Sequence, residues 1–220
     1  MKSKSMTLKI GAIARVLIVL WLFSAGFVFS QTPTPAASPS PSSLSPDKKW
    51  EYKPATNDEG PKIVKAGTSE MALDLSDDCS SVPCAEAIIL WAPDSKRFAF
   101  NHGVARDHNV SLYLLRDDHW IAMKSTDEVD TILDKAIAAQ VTKTMRAKMR
   151  VITSGVQLER WIDANTALLF AHESDFWQER DKAAGAKLLV TIKFDDAGNW
   201  KIIKTHRMSE KKVEKREKEQ

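Results

Sequence analysis

The sequence predicts a mainly β, α+β fold: antiparallel meander units in series, with one long amphipathic helix inserted between two of them. Three observations predict it. Short segments alternate at the two-residue period of a half-buried strand, as Leu188, Val190, Ile192 and Phe194 do against Leu189, Thr191 and Lys193. One phrase is written twice, WAPDSKRFAF over Trp91–Phe100 and WIDANTALLF over Trp161–Phe170, 70 residues apart. A single stretch between them carries helical periodicity instead.

Residues 1–30 read as an export signal. Lys2, Lys4, Lys9 and Arg15 lead into an apolar run of 14 residues, Val16 to Phe29. That is short of the roughly 18–20 that a membrane span needs, and Ser30 offers a cleavage point before Gln31. An uncleaved anchor is the alternative, with Arg15 snorkelling and the apolar stretch extended to Ile10; membrane contact is then confined to this segment. Setting these residues aside leaves 28 basic against 29 acidic side chains. The whole-chain net charge of +3 is thus the leader's doing, which argues against nucleic acid as a partner. Residues 31–46 hold five prolines and read as an extended, disordered tether. Residues 47–208 suffice for one domain, and residues 209–220 read as a solvated, disordered charged tail.

The first unit opens with SPDKKWEYK (Ser45–Lys53), a type I turn entering a strand, followed by a hairpin over Lys62–Leu75 that turns at 66–69. Cys79 and Cys84 come next, enclosing four residues. In an exported chain this spacing favours a local disulfide; free thiols, a redox pair or a metal site are the alternatives. The second unit repeats the turn at APDSKRFAF (Ala92–Phe100), 47 residues on, and its hairpin turns at Asp117-Asp118-His119. A helix is expected over about 126–149, opened by a Ser125/Glu128 capping box and striped by Val129, Leu133, Ile137, Val141 and Met145. Removing it from the 70-residue interval restores a spacing close to 47. The third unit runs from Trp161 through a hairpin turning at 195–199. Trp50, Trp91, Trp120, Trp161 and Trp200 recur at strand ends, where core packing is the expected role.

SPDKKW and APDSKRFAF, each followed by a hairpin, resemble the Ser-Pro-Asp-Gly-Lys repeats of WD-like β-propellers in bacterial envelope proteins. The family's Gly is replaced by Lys48, Ser95 and Asn165 here. The resemblance implies four-stranded, blade-like antiparallel units and a binding rather than catalytic role. Three units fall short of the four to eight blades of a closed propeller, so closure is not expected, and the helix is expected to cover the open sheet.

Candidate chemistry is sparse. His102, His108 and His119 would form a metal site if their loops converged, the basis of an alternative reading as a metal-binding protein or metal-dependent hydrolase. His172 precedes Glu173, Ser174 and Asp175, but no nucleophile elbow accompanies it. With eight glycines in the chain there is no phosphate loop or dinucleotide fingerprint, and no cofactor is expected. The expected function is non-catalytic: an exported, periplasmic or secreted envelope protein that binds a protein partner or contributes structurally. Asn101–Asn109, read as a loop, and Trp177–Lys187, read as a loop or a helical turn, are the expected binding surfaces.

Overall fold

The computed structural model describes residues 42–79, 84, 87–104, 106–178 and 181–209. The expected export signal, most of the tether and nearly all of the charged tail lie outside the described residues.

Three antiparallel meanders follow one another along the chain. The first is a separate sheet of β1 (Trp50–Lys53), β2 (Lys62–Lys65) and β3 (Met71–Asp74), in that order. The second contains β4 (Ile88–Trp91), β5 (Arg97–Val104), β6 (Asp107–Arg116) and β7 (His119–Ala122). The third contains β8 (Arg150–Asp163), β9 (Thr166–Trp177), β10 (Lys182–Phe194) and β11 (Trp200–Arg207). The second and third share one eight-stranded sheet, β11-β10-β9-β8-β6-β5-β4 with β7 also on β6, curled into a half-barrel that stays open. Their seam is a short parallel pairing, Asp107 with Ser154 and His108 with Gly155. Farther along, β6 gives the same edge to β7, from Tyr113–Ala122 to Arg116–His119. The seam requires Gly155: a Cβ there would lie 2.6 Å from the His108 carbonyl oxygen.

The repeated turn is the same backbone in the first two units. Ser45 N donates to Trp50 O and Ala92 N to Arg97 O, both at 2.9 Å. Asp47 and Asp94 accept from the amides of Lys49 and Lys96 at 3.1 and 3.0 Å. Lys48 and Ser95 have φ of 60° and 59°, the left-handed conformation that favours glycine. The two turns also touch, because Asp47 N donates to Ser95 Oγ at 2.9 Å. The third copy is a hairpin too, but with Asp163 opposite Thr166 its turn holds only Ala164 and Asn165. Without Pro-Asp, the longer turn has nothing to preset it.

Two cores flank the second meander. Ala99 and Leu112 face an inner core with Leu158, Leu169, Val190 and Ile192. Phe98, Phe100 and Tyr113 face the other way, into an aromatic core shared with Trp50, Tyr52 and Ile63 of the three-stranded sheet. Strand β5 is therefore buried from Arg97 through Gly103, on both faces. In the aromatic core Phe98 stacks on Tyr113 and meets Trp120 edge-on, both at 4.8 Å. All five repeat-related tryptophans are buried, as expected.

The helical stretch is shorter than the sequence pattern. α1 (Asp127–Ala138) ends near Ala139, and a second turn of helix, α2 (Lys143–Arg146), starts afresh with Thr142 as its N-cap. Val129, Leu133 and Ile137 are buried against β9 and β10, so the helix covers the inner sheet face. The Ser125/Glu128 capping box does not form. Thr126 is the N-cap without a side-chain hydrogen bond, and Glu128 pairs with Lys124, whose ammonium lies over the Trp200 ring.

Three further expectations are corrected. Ser43–Ser45 belong to the fold rather than the tether, because Tyr52 N donates to Ser43 O at 2.7 Å and Leu44 bridges Glu51. Trp177–Lys187 is mostly strand, with β9 and β10 extending to residues 177 and 182. Asn101–Asn109 is the β5–β6 hairpin, with only residues 105 and 106 between strands.

Candidate functional site

The starts of β1 and β3, the end of β2 and the β6–β7 turn enclose a groove of about 580 Å³. That volume suits a bound ligand or peptide segment. Lys48 and Lys49 enter it from the Ser-Pro-Asp turn, Lys65 from the end of β2, and His119 from the β6–β7 turn. Asp117 and Asp118 have φ of 50° and 60°, the type I′ geometry of a two-residue hairpin. His119 Nδ1 lies 2.7 Å from Asp117 O and therefore donates to it, leaving Nε2 as the acceptor while the ring is neutral. Trp50, 5% exposed, and Met71, 57% exposed, give the groove an apolar wall. Trp50 is braced edge-on by Trp120 at 5.6 Å. Glu70 pairs with Lys65 at 2.5 Å, and Asp118 is the other acid lining the groove. Lys49 pairs loosely with Asp47 at 4.0 Å, and three lining lysines against Glu70 and Asp118 leave the rim net cationic by one charge.

The three sequence-predicted histidines do not come together. His102 pairs in register with Asn109, and His108 with Gly103, so the two imidazoles stand on opposite faces of the β5–β6 ladder. His119 lies opposite Arg116, eight residues up β6 from His108, roughly 26 Å away at about 3.3 Å per residue. Among the described residues no group of three or more His, Cys, Asp or Glu is placed to hold a metal. His108 instead meets His172 across the seam, ring centroids 6.0 Å apart.

His102 belongs to a polar chain at the edge of the aromatic core. Its ring stacks on Phe100 at 5.2 Å, and its Nε2 lies 3.2 Å from Ser111 Oγ. Ser111 donates to Asp78 Oδ1 at 2.6 Å, and Tyr113 donates to Asp78 Oδ2 at 2.5 Å. Ser111 spends its proton on Asp78, so His102 acts as the donor to it, in the Nε2–H tautomer. Burial holds the His102 pKa below its usual value, with Asp78 partly opposing. Burial first, then the Asp78 hydrogen bond, pushes the Tyr113 phenol well up. A serine between histidine and carboxylate is the wrong order for a nucleophile, whose histidine must sit between the other two. The arrangement ties the 3-10 turn Ser76–Cys79 to β6.

Cys79 and Cys84 form the expected disulfide, with Cα atoms 5.6 Å apart. A disulfide suits an oxidising, exported compartment. Among the described residues no helix is long and apolar enough to cross a membrane.

Sequence reasoning missed one ionic cluster. Arg146 pairs with Asp175, with Asp134 at 2.6 Å and with Glu173 at 2.8 Å, joining α2 to α1 and β9. Burial, then Asp127 and Glu173, raises the pKa of nearby Asp130. The available signal was Glu173 and Asp175 two apart, on the strand face that Leu169 and Ala171 bury. The groove residues carried a weaker one, a Lys-Lys pair directly after a Pro-Asp turn. Compared with known proteins, the chain matches no family model, no curated protein and no solved structure.

Proposed function

We infer that the protein is a non-catalytic, exported envelope protein that binds an extended acidic segment of a protein partner in the groove beside Trp50. The groove is the observation that carries this reading: lysines at its rim attract carboxylates, while the exposed Met71, beside the nearly covered edge of Trp50, offers apolar surface to the side chains of a strand. The disulfide, and the export signal read from residues 1–30, support a periplasmic or secreted location.

Titrating the protein with a synthetic octapeptide of alternating Glu and Leu, followed by calorimetry, tests it. Binding should weaken at least tenfold when salt is raised from about 0.05 to 0.3 M, because exposed charges are screened within a few ångströms. It should be lost in a Lys48→Ala, Lys49→Ala, Lys65→Ala variant that keeps the wild-type melting temperature. Equal affinity of the two proteins would contradict the assignment of the groove.

A further inference from the structure

The stretch Asp107-His108-Asn109-Val110-Ser111 opens β6 and contains the one Asn-x-Ser/Thr triplet of the sequence. We propose that Asn109 is an acceptor for an N-linked glycan, transferred from a lipid-linked oligosaccharide before the 3-10 turn Ser76–Cys79 docks onto β6. Side chains two apart on a strand project to one side, so Asp107, Asn109 and Ser111 form one row. Asp107 and Asn109 are exposed, and the Asn109 side chain makes no hydrogen bond to another described residue. The row offers amide and hydroxyl in the order of an acceptor read in an exported chain.

The timing follows from Ser111. Its hydroxyl is tied to Asp78 and His102 in the folded protein, and Asp78 directly precedes the disulfide residue Cys79. A transferase needs that hydroxyl free, so it must act on the chain before the turn closes. The folded state then tolerates the product, because Asn109 faces solvent beside the β5–β6 tip. In the transfer, Asn109 Nδ2 bonds to the anomeric carbon of the first sugar. The bond from that carbon to the lipid diphosphate breaks, the diphosphate leaves with the electron pair, and the amide proton passes to a base on the transferase.

The proposal rests on the export reading, and the two are separable. The full chain is directed to the periplasm by a leader of proven activity, in a bacterial host carrying an Asn-directed oligosaccharyltransferase, and its intact mass is measured. A wild-type mass raised by one glycan, lost in Asn109→Gln and retained in Ser111→Thr, is the expected result. Cys79→Ser with Cys84→Ser, which leaves the turn undocked for longer, should raise the modified fraction. Unmodified mass in both the wild type and the cysteine variant, while a control acceptor is modified, overturns the proposal. So does a mass shift that survives Asn109→Gln. A parallel culture using the native residues 1–30 reports on export alone: retention inside the cell with open cysteines contradicts that reading without touching the acceptor result.

Discussion

His102 shows how one buried side chain sets a pH response. Its folded pKa lies below the ordinary value near 6.5, because burial disfavours the imidazolium more than Asp78 favours it. As pH falls through about 6.5 the unfolded chain takes up a proton at this position that the native state refuses. Stability therefore declines toward acid. His102→Gln, whose amide nitrogen reaches the place of Nε2, keeps a donor for Ser111 and removes the titration. Urea unfolding between pH 7.5 and 5 should show a shallower decline for this variant than for the wild type; parallel curves would contradict the buried neutral imidazole. The sequence offered His102 as a polar loop residue. Its true setting depends on Phe100 and Ser111, and pairing between strands, unlike local spacing, is not written in a run of ten residues.

At the scale of elements, β5 and β8 are joined by a side chain where no ladder joins them. Asn101 donates from Nδ2 to Leu158 O and accepts on Oδ1 from Leu158 N, both at 2.8 Å, in place of a strand partner. Trp161 Nε1 ties β8 to β4 by donating to Leu90 O at 2.9 Å. Asn101→Ala would leave both main-chain groups of Leu158 buried and unpaired, at a cost of about 2–4 kcal/mol. Chemical denaturation should show that loss at unchanged m-value, and a loss under about 0.5 kcal/mol would contradict the role. Most elements were legible because a strand buried on one face writes its burial as alternation, as β10 does from Leu188 to Phe194. The break after Ala138 was not legible, since Val141 and Met145 continue the helical stripe past it. There the chain bends, and Arg146 meets Glu173 and Asp175 while α1 stays on β9 and β10. Asn101–Asn109 and Trp177–Lys187 read as loops for a related reason. Their small and polar residues carry little hydrophobic signal, yet Asn101, His102, Ala184 and Ala186 are buried once the strands pair.

For the molecule as a whole, the repetition of short turns builds layers rather than a ring. The three-stranded sheet packs its aromatic face on the second meander, whose opposite face and the third meander enclose the inner core with α1. The groove depends on this layering, because Trp50 and Lys65 come from one sheet and His119 from the other. Of the candidate site, His119 alone is legible in the sequence as a ligand, with a metal rather than a peptide in view. The lysines around it acquire meaning only when two distant turns share a rim.

The whole layering turns on β5, which lies between two cores and pairs on one side with β4 and on the other with β6. Native-state hydrogen exchange tests it most directly. The amides of Phe98 to Asn101 should exchange only through global unfolding, slowest in the protein, while those of the edge strand β11 beyond Ile203 exchange orders of magnitude faster. Exchange of Phe98 to Asn101 as fast as that edge would contradict the layered fold, and with it the groove.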